Sequence, residues 1–271
     1  MRYLNVAALA ALAVCGTALA QPSVGGNAVE GGAIFSIDPG SNTSALGNGA
    51  TTNFQVSGFT GLNYLPNAWW WMRVDGVDTR EYALFQPDAN TTVSNPAANQ
   101  LQIVYNYGTF TIRMRFSVAD DGGGSATLVQ QVRIQNNDLA NGYSINLFNY
   151  NNIDVFGTPG NDTAIQTGPN TVVMADGIFP VVQAAFEGAN FIRVDTRPNV
   201  LGLLTNAGID NMIGGVINNG PADLELATQF QFNLAPGGVQ TVTSSITIVP
   251  APGAMALAGL GGLLAARRRR A

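Results

Sequence analysis

The chain has 271 residues, no histidine, a single cysteine and a formal net charge of −5. All 12 of its basic residues are arginine, so lysine is absent too. This composition excludes Ser-His-Asp and Cys-His catalysis, Schiff-base lysines and ordinary zinc or copper sites; the acidic balance argues against nucleic acid as a partner.

The first predicted element is a leader. Arg2 supplies a minimal positive n-region, Val6 to Leu19 is an apolar stretch, and Ala18-Leu19-Ala20 reads as an A-x-A cleavage site. Cleavage after Ala20 makes residues 1–20 a signal peptide and starts the mature chain at Gln21. The alternative is lipidation at Cys15, but Leu12-Ala13-Val14-Cys15 places a large valine where a lipobox has a small residue. Residues 21–249 hold seven arginines against all 17 acids, a net charge of −10. They contain no cysteine, so no disulfide supports the exported domain and its hydrophobic core must hold it together.

Strand signals then follow one another. Ala33 to Ile37, Asn53 to Val56, Ala68 to Val74 and Arg80 to Phe85 come first, the last two separated by the turn Asp75-Gly76. Leu101 to Tyr107 leads through Gly108 into Thr109 to Val118. There Phe110, Ile112, Met114, Phe116 and Val118 alternate with polar residues, the period of a strand with one buried face. Asp120-Asp121-Gly122-Gly123-Gly124 predicts a hairpin into Ala126 to Gln135. Asn141-Gly142 marks another turn before Tyr143 to Tyr150. Val172 to Ala175, Pro180 to Phe186 and Phe191 to Val194 continue in kind, and Asn199 to Asn206 is the one short helix. Leu224 to Leu234 and Val239 to Val249 flank Pro236-Gly237-Gly238 and predict a final hairpin. Roughly a dozen strands without βαβ alternation define an all-β fold, an antiparallel β-sandwich.

Three groups of residues are candidate sites. Trp69, Trp70 and Trp71 on one strand place two indoles on one face and one on the other. They are either a sugar-stacking platform or a core strand buried on both sides, and the core reading is preferred. The stretch from Asn149 to Asp162 carries Asn149, Asn151, Asn152, Asp154, Asn161 and Asp162. Oxygen-rich loops of this kind bind Ca²⁺, with Asp154 and Asp162 as the metal candidates, although Asn and Asp also favour turns for their own sake. Asp75, Asp78 and Glu81 lie near the tryptophans and are the carboxylates available for glycoside chemistry, but two look like turn residues and Glu81 has Arg73 and Arg80 as ready partners. The Asn-x-Ser/Thr triplets at Asn42, Asn90 and Asn161 are expected by chance in so Asn-rich a chain. No residue is assigned a catalytic role and no cofactor is required.

The last predicted element is the tail, VPAPGAMALAGLGGLLAARRRR from Val249 to Arg270. Gly253 to Ala266 is uncharged and makes a helix of about 21 Å, short of the roughly 30 Å of a bilayer core. Including Val249 to Pro252 extends it to about 27 Å, enough for a thin membrane. Arg267, Arg268, Arg269 and Arg270 stay cytoplasmic by the positive-inside rule, which puts the preceding domain outside. This layout resembles the PEP-CTERM sorting signal of exosortase substrates, with Pro250 and Pro252 as the two prolines and Ala251 where that family usually has Glu. Trp69-Trp70-Trp71 with Arg73, Arg80-Glu81 and the stretch from Val132 to Asp162 resemble a group of exported proteins with such tails, a likeness that implies no activity.

The resemblance implies an exosortase-type processing enzyme and the secretion machinery as partners. It also implies a transient inner-membrane anchor over residues 250–271 and final delivery to the cell surface or beyond. The expectation is a non-enzymatic surface or matrix protein. The alternatives are a carbohydrate-binding module that uses the tryptophans on extracellular polysaccharide and, third, a carboxylate-based glycosidase or lyase.

Overall fold

Alternation of apolar and polar residues makes a strand that buries one face, whereas continuous apolar runs make strands covered on both faces. Both kinds occur here, in different sheets. The structure is a computed structural model describing residues 26–38, 50–56, 61–84, 91–177 and 181–249. The leader with Ala18 and Ala20, the tail with Pro250 to Arg270, and Asn42 and Asn90 lie outside the described residues.

In chain order the strands are β1 (Gly26–Glu30), β2 (Ala33–Asp38), β3 (Ala50–Gln55), β4 (Asn67–Val74), β5 (Tyr82–Ala83), β6 (Thr92–Ser94), β7 (Gln100–Tyr107), β8 (Phe110–Gly122) and β9 (Ser125–Asn136). Then come β10 (Tyr143–Asn152), β11 (Thr163–Gly168), β12 (Thr171–Ala175), β13 (Val181–Glu187) and β14 (Phe191–Thr196). The helix α1 (Asn199–Thr205) precedes β15 (Gly215–Val216), β16 (Leu224–Leu234) and β17 (Val239–Val249). One sheet runs β1-β2-β3-β4-β10-β16-β14-β15, with β5 added beside β4, and the other runs β11-β12-β13-β17-β9-β8-β7-β6. Every pairing is antiparallel except the short β14–β15 contact. The expected all-β sandwich is what forms. β1, β6, β11 and β15 were not read from the sequence, being short or lacking an apolar period.

The second sheet is the alternating one. Along β9 every second residue from Ala126 to Asn136 is buried, and β8 pairs with it through Asp120↔Ala126 and Gly122↔Ser125. The two residues between, Gly123 and Gly124, have φ of 62° and 85°, the left-handed conformations that a two-residue hairpin requires. The first sheet is covered on both faces at its centre: β4, β10 and β16 are buried over most of their length. Inward, toward the second sheet, Asn151 accepts from Gln130 (2.9 Å) and Asn149 accepts from the Ser244 hydroxyl (2.9 Å). The outward face lies under α1 and the loop after it. There the Leu201 amide donates to Glu225 (3.1 Å), the Met212 amide donates to Gln229 (2.9 Å), and Val200, Leu204 and Met212 are buried.

The expected final hairpin does not form. β16 belongs to the first sheet and β17 to the second, so Pro236-Gly237-Gly238 carries the chain across the sandwich instead of folding it back alongside. The Asn141-Gly142 turn makes the same crossing between β9 and β10. Buried Asn136 ties the two crossings together, donating to the Asn141 carbonyl (2.7 Å) and to the Ala235 carbonyl (3.0 Å). A Pro-Gly-Gly reversal has the same local sequence whether or not the next strand pairs with the last. The buried faces of β9 and β10 decide that here.

Candidate functional site: an acidic end of the sandwich

The tryptophans are core residues. Trp69, Trp70 and Trp71 are at most 1 % exposed, which rules out a sugar-stacking platform at these rings. Trp70 points between the sheets and stacks on Phe230 at 6.1 Å. Trp71 faces outward beneath the α1 layer and meets Tyr150 edge-on at 5.8 Å. Two-sided burial of the strand follows from that added layer, which no local pattern around residue 70 announces.

The nearby carboxylates are engaged. Arg73, 4 % exposed, forms an ion pair with fully buried Glu81, donates to Asp75 (3.1 Å), and reaches the Asp210 carbonyl (2.7 Å) and Asn211 (3.1 Å). Its guanidinium lies 5.6 Å from the centre of the Phe148 ring. Asp78 accepts from the Val74 amide (2.6 Å), closing the turn after β4. Burial raises the Glu81 carboxyl above its usual range, while the Asp210 amide and Arg73 act against that rise. This is a structural ion pair fastening the outer loop to the sheet.

The chemistry left unspent lies at the other end of β4, β10 and β16. Asn152 and Glu225 are paired across β10 and β16, so both project outward. Two residues beyond, Asp154 lies close enough to Asp223 for their charges to repel. Asp162 joins them in two ways. Its side-chain Oδ1 accepts from the amide of Val155, the residue after Asp154, at 3.2 Å. Its backbone exchanges hydrogen bonds of 3.1 and 3.0 Å with Ala222, the residue before Asp223. Asp176 closes the group, accepting from the Thr158 hydroxyl at 2.8 Å. Arg197 is the nearby cation, 3.7 Å from Glu225, which also accepts from the Tyr150 hydroxyl at 2.6 Å.

The electrostatics follow from this crowding. Burial, and then repulsion from Asp223, lift Asp154 to about 6, with Arg197 acting in the opposite sense. Asp162, fully buried, is raised to about 8 by burial and then by the charge of Asp154, with smaller contributions from Asp176 and Asp223. Asp154 Oδ1, Asp162 Oδ2, Asp223 Oδ1 and Asn152 Oδ1 are buried atoms without a hydrogen-bond partner in the protein. As carboxylates the three aspartates only accept, but Asp162, raised to about 8, holds its proton at neutral pH and can donate it to a neighbouring acceptor.

Sequence reading found part of this group. Asp154, Asp162 and Asn152 came from the right stretch. Asn149 and Asn151 instead turn inward to bond Ser244 and Gln130, because odd and even positions of β10 face opposite ways. Asn161 is exposed. Asp223, Asp176 and Arg197 were missed, being far away in sequence and marked by no motif. A shallow surface depression lined by Tyr143, Ser144 and Asn233 lies at the opposite end of β10 and β16.

No protein family matches the chain, and no curated protein matches it. Among solved structures it is similar to a polysaccharide lyase, with a TM-score of 0.45 and 12 % identity over 81 % of this chain and 33 % of the lyase. It is also similar to a candidate kojibiose phosphorylase from the human microbiome, with a TM-score of 0.36 and 10 % identity over 74 % of this chain and 23 % of that one. Both are named as enzymes, and the expectation of a non-enzymatic domain is withdrawn, since missing His, Lys and Cys still leave carboxylate, tyrosine and arginine chemistry. The chain spans a third of the first protein and less than a quarter of the second, and the likeness assigns it no activity. Among the described residues no helix is long and apolar enough to cross a membrane.

Proposed function

We propose that this chain is an exported β-sandwich protein of the cell exterior, carried out by its leader and sorted through an exosortase-type system by its tail. The observation that carries this reading is the fit between the folded body and the two address segments. The first described strand begins at Gly26, shortly after the cleavage site at Ala20, and β17 ends at Val249, the residue before Pro250. β17 lies between β13 and β9 in the second sheet, and its last pair is Val181↔Val249. Proline has no amide hydrogen to donate to a ladder. Pro250 and Pro252 therefore follow directly on the last described strand, and cleavage there leaves every described strand whole. The absence of cysteine from residues 21–249 leaves folding outside the cell independent of disulfide formation.

The test expresses the full chain and a version ending at Val249 in a bacterium with an exosortase-type system, followed by fractionation and mass measurement. The full chain is expected to pass through the membrane fraction, lose its tail and reach the surface, whereas the shortened chain leaves without a membrane stage. Identical fractionation and an intact tail on the exported product overturn the reading.

A further inference from the structure

We propose that the outward face of the second sheet binds an extended, carboxylate-bearing polysaccharide through Arg113, Arg115 and Arg133. The three lie on two adjacent rungs across β7, β8, β9 and β17. One rung runs Val104–Arg113–Arg133–Thr241 and the other Gln102–Arg115–Gln131–Thr243. Their neighbours along the strands, Ile112, Met114, Phe116, Val132 and Ile134, are buried between the sheets, so the arginines point away from the core.

The arrangement of charge carries this inference. Residues 21–249 have a net charge of −10 and seven arginines, and three of the seven gather here. Among the described residues none of the three forms an ion pair, whereas Arg73, Arg193 and Arg197 each do. Arg113 and Arg133 stand directly opposite one another on β8 and β9, a like-charge pair that lowers stability. Arg115 donates to Gln102 (3.0 Å) and Arg133 to Gln135 (3.3 Å), so neutral amides orient both without cancelling their charge. Arg115 Nε is a buried donor with no partner in the protein, and Arg113 is exposed. The acids of this face stand apart. Asp121 is bonded to Thr127 at the hairpin end (2.7 Å), and Glu187 is paired with Thr243, two strands from β9. Unpaired like charges held side by side on an otherwise acidic body form a local positive patch that fits an anion.

The geometry sets the class of ligand. A guanidinium donates two parallel hydrogen bonds to a carboxylate. Adjacent strands lie about 4.8 Å apart and alternate residues about 6.8 Å apart along a strand. The three charges therefore spread over a sheet surface and address several carboxylates of one chain instead of enclosing a single small anion. The rest of the two rungs, apart from half-buried Val104, is Gln102, Gln131, Thr241 and Thr243, whose amides and hydroxyls suit sugar hydroxyls. A bilayer surface is the other extended anion, but faces that enter headgroups carry large apolar side chains, and none of the exposed large apolar residues lies on these rungs. At physiological salt the screening length is about 8 Å, so a bound chain senses these arginines above the distant acids. The inference goes beyond the export reading and rests on the folded body alone.

The experiment titrates the full chain in neutral detergent against polygalacturonate, with dextran as uncharged control and double-stranded DNA as a second polyanion. Binding to polygalacturonate alone is expected at about 0.15 M NaCl, and its loss at about 1 M, where the screening length falls to roughly 3 Å. Arg113→Gln and Arg133→Gln are each expected to weaken it about threefold to tenfold, and the double variant to abolish it. Their thermal midpoints are expected to equal or exceed that of the parent, because each substitution relieves the like-charge pair; should either fail to fold, Arg115→Gln replaces it. Arg80→Gln, which removes one charge elsewhere, is expected to bind as the parent does. The proposal is overturned by no binding to polygalacturonate, by equal binding to dextran, or by a double variant that binds like the parent. Tighter binding to DNA, or loss of polygalacturonate binding when phosphatidylglycerol is added to the micelles, assigns the face to another partner and also overturns it. None of these outcomes depends on how the chain is exported.

Discussion

Arg73→Met makes the sharpest test of how the outer layer is held. Methionine preserves the aliphatic bulk of the stem and removes the charge. Glu81 is fully buried, and Arg73 supplies its charge partner. Breaking a buried pair from one side leaves an uncompensated charge, at a cost of about 3–5 kcal/mol. The Asp210 carbonyl and Asn211 lose their donors as well, but these losses overlap with the first because the same loop relaxes. Asp75 is 46 % exposed, so its share is small. A total of about 4 kcal/mol lowers the unfolding midpoint of a domain this size by roughly 8–16 °C. The deficit has a signature in pH, because protonation of Glu81 relieves the stranded charge and so the gap to the parent protein narrows in acid. Adding Glu81→Gln to Arg73→Met recovers part of the loss at pH 7. Urea unfolding at pH 7 and pH 5 measures all of this. A loss below 1 kcal/mol, or a double variant less stable than Arg73→Met alone, refutes the claim that this pair fastens the loop.

Two further outcomes are expected. Stability contributed by the acidic end falls as pH rises. The folded-state values of Asp154 and Asp162, about 6 and about 8, lie above the unfolded value of 3.8, so the folded state holds protons that the unfolded state has released. The contribution is complete below pH 3.8 and is lost by pH 8, and thermal unfolding across this window with Asp162→Asn as control shows a flatter profile in the variant if the assignment holds. Gln130→Leu strands Asn149 and Asn151 between the sheets. It is expected to cost about 1–3 kcal/mol, measured by urea unfolding; a neutral result refutes the claim that Gln130 satisfies these two buried amides.

Much of the fold is local and was legible. Alternation from Phe110 to Val118 and the glycine-rich turn after Asp120 predicted β8, its partner β9 and the buried face they share. Asn199 to Asn206 reads as the one short helix, and α1 forms over Asn199–Thr205. The composition of residues 21–249 alone excluded thiol, imidazole and lysine chemistry, since a missing side chain is missing in every conformation.

Tertiary structure decided what depends on which segments meet. Pro236-Gly237-Gly238 signals a reversal, yet only burial between the sheets sends β17 away from β16, with Asn136 holding the crossing. The tryptophans were readable as core or platform, and the outer layer carrying Val200, Leu204 and Met212 settles them as core. The acidic end shows the same limit. Asn152, Asp154 and Asp162 lie together in sequence, but strand alternation turns Asn149 and Asn151 away from them, and pairing with β16 brings Asp223 in. Side-chain direction along a strand is a local property, readable residue by residue. The neighbour across the sheet is set by long-range packing, and it is that neighbour which turns an Asn-rich stretch into a cluster of unpartnered oxygens.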